Sequence, residues 1–273
     1  MKIDFLLPLS LFLIVTLSLL LSEKIEKKIK MILGEKKLGT REIFLMVISM
    51  SIMVSLIILL PTYWIQILFI IAFSYMLLIF TYLLLGKWFL AIIPPAIFVA
   101  SYLLIYTMME DILIVNTVIS IFTAFFAVMI ITYMNSLFSW RITVLFAVLL
   151  TVMDVIQVFL TTHMIEAANK MITLRLPVAM ILPTFPLMGY MVLGLGDVFL
   201  SGLLSTQAAY KYGRRAGFLI AASISLALFI FEALIFNLEI ELRGFPATII
   251  VLLGCLLGLG IHNIEKRLTK CLG

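Results

Sequence analysis

Nine apolar runs, each about as long as a membrane-crossing helix, restrict what this chain can fold into. A helix needs about 20 apolar residues to cross the hydrocarbon layer of a bilayer, and lipid-exposed backbone groups must be satisfied within helices or closed barrels. Hydrophobic residues make up 64% of the 273 residues and charged residues only 12%. We therefore predict an all-α membrane protein, a single multipass domain over residues 1–273, with nine transmembrane helices at residues 3–22, 42–60, 64–85, 88–109, 112–134, 142–162, 185–209, 217–238 and 244–262.

The basic residues lie in short segments beside the apolar runs, and they predict the orientation of the helices. If the segment after the first run is cytoplasmic, all but four of the 19 Lys and Arg residues fall on the cytoplasmic side, the exceptions being Lys2, Lys170, Arg175 and Arg243. This bias is typical of cytoplasmic segments. We therefore predict an integral multi-pass protein of the cell membrane with its N-terminus outside and its C-terminus in the cytoplasm. The net charge of +5 belongs to these segments, so no nucleic-acid partner is expected.

Two carboxylates interrupt the apolar runs at positions that can meet. Asp154 lies 13 residues after Arg141, and Asp197 lies 14 residues before Lys211. If the two runs form consecutive antiparallel helices, both acids lie about 20 Å from the same membrane surface. A carboxylate at that depth costs a few kcal/mol, and two facing carboxyls cannot both be ionised cheaply, so the pair is expected to hold one proton. Aspartic proteases activate water with this arrangement, and transporters use intramembrane acids to move protons or ions.

The residues around the two acids narrow these alternatives. Gly194-Leu195-Gly196-Asp197 matches the GxGD signature, Met153-Asp154-Val155-Ile156 precedes it, and Pro246-Ala247-Thr248 follows it. These three segments lie in the sixth, seventh and ninth predicted helices. In content and order they resemble the presenilin and signal peptide peptidase family of intramembrane aspartyl proteases, and the short loops look most like its archaeal members. Two positions depart from the family: Met153 stands where Tyr is usual, and Thr248 where Leu is usual.

The resemblance implies a presenilin-like GxGD protease fold and an aspartic endopeptidase that cuts within the membrane. It implies that Asp154 and Asp197 are the catalytic pair. Supporting positions at the active site would be Gly194, Leu195, Gly196, Pro246, Ala247 and Thr248. Such an enzyme needs no cofactor or metal, and the two histidines, His163 and His262, are too few for a zinc site. The small residues Gly194 and Gly196 would also let the two catalytic helices pack closely.

Two other functions stay open on the sequence. A proton- or ion-coupled transporter or a leak channel could use the same intramembrane acids. Prepilin and preflagellin peptidases also carry GxGD, but their first aspartate lies near a membrane edge rather than deep in a helix, which disfavours that class.

The longest predicted outside segment has two parts. His163, Glu166, Lys170 and Thr173 follow one another at helical spacing, as in a helix at the membrane interface. The following stretch, residues 174–183, ends at Pro183 and is expected to be extended or irregular, which makes it a candidate for pairing with an unwound substrate. The expected substrate contacts are Met153, Leu174, Leu176 and Val178.

Three further predictions concern packing and partners. Gly254 and Gly258 form a small-residue face for helix packing, and the third intramembrane acid, Glu232, is expected to hydrogen-bond to another helix rather than relay protons. The expected partners are transmembrane segments or signal peptides whose N-terminus faces the cytoplasm, together with the lipid bilayer. A homo-oligomer is compatible with the sequence, and no accessory subunit is indicated.

Overall fold

A computed structural model describes residues 4–33, 37–184, 189–238 and 245–272. In these ranges the chain is almost entirely helical, with a single two-stranded antiparallel sheet. The helices are α1 Leu6–Leu33, α2 Thr40–Leu59, α3 Thr62–Leu85, α4 Trp88–Ala91, α5 Ile93–Met108, α6 Ile112–Leu137, α7 Trp140–Val155, a π segment Ile156–Leu160, α8 His163–Thr173, α9 Leu195–Tyr212, α10 Arg214–Leu238 and α11 Ala247–Leu272. The strands are β1 Ala179–Pro183 and β2 Tyr190–Gly194.

Seven helical stretches in the described ranges are long and apolar enough to cross a membrane. They are Thr40–Leu59, Thr62–Leu85, Trp88–Met108, Ile112–Leu137, Trp140–Leu160, Arg214–Leu238 and Ala247–Leu268. These correspond to seven of the nine predicted spans and confirm a helical, multi-pass membrane protein. One of them combines α4 with α5, and another combines α7 with the π segment.

The two remaining predicted spans differ from the sequence expectation. The first run lies in α1, but its apolar part, Leu6–Ser22, is shorter than the other spans. The seventh run, 185–209, was predicted as one continuous helix, and that prediction is wrong. Its residues 190–194 form β2, and α9 begins only at Leu195; residues 185–188 lie outside the described ranges. Pairing with β1 satisfies part of the backbone of this stretch, and its glycines are poor helix formers.

Helix α9 lies at the centre of the molecule. It packs against α1, α6, α7, α10 and α11, and every residue from Asp197 to Ala208 is buried. Leu200 and Leu203 of α9 join Phe146 of α7 in the largest hydrophobic cluster. The middle of the helix that carries the second acid, from Asp197 to Ala208, is therefore enclosed by protein.

Close contact between α10 and α11 depends on glycine. A Cβ added at Gly254 would lie 2.5 Å from the Cα of Ile224, and one at Gly258 would lie 2.8 Å from the Cα of Ile220. Real Cβ atoms do not come so close to a neighbouring backbone. The predicted packing role of Gly254 and Gly258 is confirmed.

The segment after α7 has the two parts that the sequence predicts. His163–Thr173 forms the helix α8, and its Lys170 ammonium donates to the carbonyls of Ile57, Ile58 and Leu60 at the C-terminal end of α2. A cation at the C-terminal end of a helix also interacts favourably with the helix dipole. Beyond α8 the chain becomes extended and forms β1.

Candidate active site

Helices α7 and α9 pack antiparallel, which places the two acids at matching depth. The rings of Trp140, at the start of α7, and Tyr212, at the end of α9, lie 5.4 Å apart. Farther along, Phe146 and Phe199 are in edge contact at 6.1 Å. Asp154 follows Trp140 by 14 residues and Asp197 precedes Tyr212 by 15, so each acid lies about 20 Å from the joined ends.

Asp154 is the second-last residue of α7, next to a change in helix type. Its side chain is buried, with 7% exposed, and the π segment begins two residues later. Single π turns often occur at functional sites, where they redirect the residues of a helix. Gln157, inside the π segment, donates its amide to Ser51 Oγ of α2 at 2.8 Å. This contact fixes the backbone just beyond Asp154.

Asp197 lies in the first turn of α9, not in the middle of a helix as the sequence suggested. It too is 7% exposed, and its carboxyl is close enough to that of Asp154 for the two to interact electrostatically. The acids are therefore two buried, interacting carboxyls on different helices. Because Asp197 follows β2, extended strand backbone rather than helix leads to the two acids.

The two glycines of the GxGD motif have different surroundings. A Cβ added at Gly194 would lie 3.2 Å from Oδ2 of Asp197, whereas one at Gly196 would have no atom within 4 Å. Neither glycine forms a close contact with another helix in the described ranges, so their predicted role in helix packing is not observed. Gly194 instead leaves room for the Asp197 carboxyl.

The hairpin before α9 has one sealed edge and one open edge. On the sealed edge, Ser120 Oγ of α6 donates to the Ile181 carbonyl at 2.9 Å and accepts from the Ile181 N–H at 2.8 Å. Ile181 is opposite Val192 in the antiparallel register. Opposite residues in such a pair share the same bonding direction, so the N–H and C=O of Val192 point away from β1. Among the described residues, β2 has no second neighbouring strand.

The segment Pro246-Ala247-Thr248 reaches Asp154 through Thr248. It forms the start of α11, where Pro246 accepts from the Ile249 N–H at 3.1 Å. Phe245 contacts Phe231 of α10, with ring centroids 4.6 Å apart, and Phe159 of the π segment at 6.3 Å. Thr248 is 1% exposed, and its hydroxyl interacts with the Asp154 carboxyl.

The residues predicted to contact substrate do not form one surface beside the acids: Leu174, Leu176 and Val178 pack in one cluster, whereas Met153 lies against the main core. Met153 is partly buried and packs against the main core beside Asp154. Leu174 and Leu176 are buried in a separate cluster with Ile65 and Tyr102, which leaves them no surface for a substrate. Val178 is partly buried, and its carbonyl accepts from the Leu195 N–H at 2.8 Å, one step beyond the hairpin register.

Sequence reasoning missed the side chains that hold the hairpin and the π segment. Ser120 binds β1 as described above, and Thr123 Oγ1 lies 3.0 Å from the Ala179 carbonyl oxygen. Gln157 holds the π segment to α2. The sequence does contain a sign of these contacts. Ser120 and Thr123 are three residues apart and so lie on one face of an apolar helix, and polar side chains on such a helix need hydrogen-bond partners inside the protein.

The hydrogen bonding of Glu232 also differs from the prediction. Its side chain is fully buried, and neither carboxylate oxygen has a hydrogen-bond partner among the described residues. The predicted hydrogen bond to another helix is therefore not observed. The nearby charged group is Asp4, also buried, near the start of α1. Within the described ranges, no group of three or more His, Cys, Asp or Glu side chains could hold a metal ion.

Comparison with known proteins adds no relative. No family model matches the chain, and no curated protein is significantly similar to it. The features of this chain that bear on its function are therefore the geometry of the two acids, the open edge of β2 and the start of α11.

Proposed function

We propose that this chain is an intramembrane-cleaving aspartyl endopeptidase of the GxGD class, with Asp154 and Asp197 as its catalytic pair. The observation that carries the proposal is the placement of two buried carboxyls at matching depth on the packed helices α7 and α9, where the open edge of β2 ends. The sequence resemblance to the presenilin and signal peptide peptidase family supports the same function. We also propose that this chain has the nine-helix arrangement of that family.

The chemistry follows from two carboxyls that share one proton. The ionised carboxylate accepts a proton from a water molecule as the water oxygen attacks the peptide carbonyl carbon. The protonated partner gives its proton to the carbonyl oxygen, and a tetrahedral diol forms. Return of a proton to the amide nitrogen lets the C–N bond break, which releases a carboxyl and an amine. Every proton moves between the two acids, the water and the substrate, so this route needs no metal or organic cofactor.

The open edge of β2 offers a way to hold the substrate. A transmembrane helix hides its backbone in its own hydrogen bonds, so cutting requires local unwinding, and the freed groups need partners. The outward N–H and C=O of Val192, five residues before Asp197, can pair with an extended peptide. The sequence expectation assigned pairing to residues 174–183, but α6 seals the outer edge of that strand, so β2 is the better candidate.

Substrate direction follows from the predicted topology. The distribution of basic residues places the N-terminus outside, so α7 runs outward and α9 runs inward. Among the proteins that the sequence resembles, signal-peptide-peptidase-like members share this orientation and take substrates with a cytoplasmic N-terminus. A site of fixed chirality accepts one strand direction, because reversing the strand misplaces each carbonyl relative to the acids. We therefore assign short membrane anchors and remnant signal peptides with the N-terminus inside as the substrates.

Two reporters test this proposal. They carry closely similar apolar segments in opposite orientations and are reconstituted with the purified protein in liposomes. We expect fragments from the reporter with its N-terminus inside. Preferential cutting of the opposite reporter would show that the topology or the family analogy is wrong.

A second function has one observation in its favour. Glu232 and Asp4 form another pair of buried acids, and buried acids in membrane proteins often carry protons or ions. A proton- or ion-coupled transporter or a leak channel would therefore be the alternative. Measuring ion flux on the same liposomes separates the two functions, because a transporter gives flux without reporter fragments.

A further inference from the structure

Thr248 is a buried threonine at the start of a helix. Many threonine and serine hydroxyls inside the described helices donate to a carbonyl three or four residues earlier, as Thr132 does to Val128 at 2.7 Å and Thr151 does to Ala147 at 2.8 Å. The buried hydroxyls of Thr16, Ser74, Thr143 and Ser225 have no hydrogen-bond partner among the described residues. Thr248 is the second residue of α11, so the residue four positions earlier precedes the helix. Its hydroxyl has no hydrogen bond of standard geometry with a described residue. An unsatisfied buried hydroxyl is costly and calls for an explanation.

The surroundings of Thr248 supply one. Phe245 lies against Phe159, which is five residues beyond Asp154, and α11 packs against both α7 and α9. The start of α11 is thereby held beside the end of α7, with the Thr248 hydroxyl next to the Asp154 carboxyl. Catalytic hydrogen bonds are often long or poorly aligned in a resting enzyme and tighten when substrate binds.

Asp197 has no equivalent neighbour. No described group donates a hydrogen bond to its carboxyl, and a Cβ added at Gly194 would lie 3.2 Å from its Oδ2. The first turn of α9 favours a negative charge there, but a direct hydrogen bond to a charged group is the stronger effect. The two acids are therefore chemically unequal, although they occupy matching depths.

We propose that the Thr248 hydroxyl donates a hydrogen bond to Asp154 in the working enzyme and thereby makes Asp154 the general base and Asp197 the proton donor. This inference rests on the proposed protease function. A hydroxyl that donates to a carboxylate stabilises its ionised form, and the shared proton then resides on the partner. Thr248 is a positioning residue in this role, because it acts through Asp154 and not on the substrate.

The test compares Thr248→Val with Thr248→Ser in the reporter assay. Val keeps the shape of Thr and removes the hydroxyl, whereas Ser keeps the hydroxyl. We measure kcat/KM from acid to alkaline pH. The acid limb of the Val variant should move to higher pH by about 1 unit, about a tenfold loss at low pH. The alkaline limb should stay in place, and the Ser variant should follow the wild-type profile.

Thr151→Val is the matched control. It removes a hydroxyl from α7, three residues before Asp154, but that hydroxyl is already bonded to Ala147. Its acid limb should not move. An unchanged acid limb in Thr248→Val would overturn the inference, and so would an equal loss of activity at every pH that Thr248→Ser fails to restore, because that result indicates packing alone.

A second readout does not require proteolysis. In the Asp197→Asn background, infrared difference spectra against Asp154→Asn/Asp197→Asn report the ionisation of Asp154 directly. Adding Thr248→Val should raise the midpoint of that titration by about 1 pH unit, and an unmoved midpoint would overturn the inference. If the wild-type protein cuts no reporter but the midpoint moves, the proposed function fails while the link between Thr248 and Asp154 stands.

Discussion

Helices α9 and α3 belong to one molecule but face different surroundings. α9 is buried without interruption from Asp197 to Ala208, whereas α3 is buried only at Ile65, Phe73 and Leu77. Yet α3 is one of the seven candidate membrane spans in the described ranges, and α9 is not. The helix with the more apolar sequence is thus the one whose side chains are more exposed at the surface that lipid would cover. The helix that carries Asp197 is enclosed by other helices and therefore tolerates more polar residues.

The polar residues of α9 show how that enclosure works. Ser201 donates to the Asp197 carbonyl at 2.7 Å, and Ser205 donates to the Ser201 carbonyl at 2.8 Å. Near the other end of the helix, Gln207 donates to Asn135 Oδ1 of α6 at 2.7 Å. Each of these groups is satisfied inside the protein, so none needs water. Lipid contact would offer no such partners.

The largest expected effect is on stability. Leu203→Ala in α9 removes a fully buried side chain and should lower the free energy of unfolding by about 2–5 kcal/mol. Leu68→Ala in α3, where the side chain is 41% exposed, should change it by less than about 1 kcal/mol because lipid fills the space. Unfolding curves in mixed micelles measure both variants. Equal losses would contradict the difference in surroundings between the two helices.

A smaller effect is expected at the open edge of β2. Val192→Pro removes an outward N–H but no bond to β1, a position where an edge strand tolerates proline. Reporter cleavage should fall by about tenfold to a hundredfold with little change in melting temperature. Val192→Ala keeps the N–H and serves as the control, with near wild-type cleavage. Full activity of the proline variant would show that β2 does not pair with the substrate.

The smallest of these effects separates the two glycines of the motif. Gly194→Ala pushes a methyl group against the Asp197 carboxyl, at 3.2 Å, and should reduce kcat about fivefold, corresponding to about 1 kcal/mol. Gly196→Ala meets open space and should leave kcat unchanged. Cleavage kinetics of the two purified variants measure kcat for each. A larger loss of kcat in Gly196→Ala than in Gly194→Ala would contradict the assigned surroundings of the two glycines.

Much of the fold could be predicted because lipid imposes a simple rule on sequence. Seven spans follow from apolar runs of sufficient length, and the matching depth of Asp154 and Asp197 follows from counting along two helices. The strand β2 could not be separated from α9 in this way, since a short apolar run has no periodicity that distinguishes strand from helix. Its extended form depends on β1, which is itself fixed by Ser120 of α6.

The site was only partly predictable for a related reason. Asp154, Asp197 and the segment at Pro246 are candidates from sequence alone because they match motifs. The burial of Leu174 and Leu176 results from packing against Ile65 and other residues distant in sequence, which a local pattern does not reveal. Thr248 could be noted as a departure from the family motif, but its position next to Asp154 required the fold.

The most direct test of the central claim is cleavage of the reporter with its N-terminus inside, by purified protein in liposomes with a metal chelator present. Mass spectrometry then locates the cut. We expect the wild-type protein to give two fragments that meet within the apolar segment, and neither Asp154→Asn nor Asp197→Asn to give them, since a catalytic pair acts as a unit. The same fragments from either variant, or none from a folded wild-type protein, would contradict the assignment of these two acids as an aspartyl protease site.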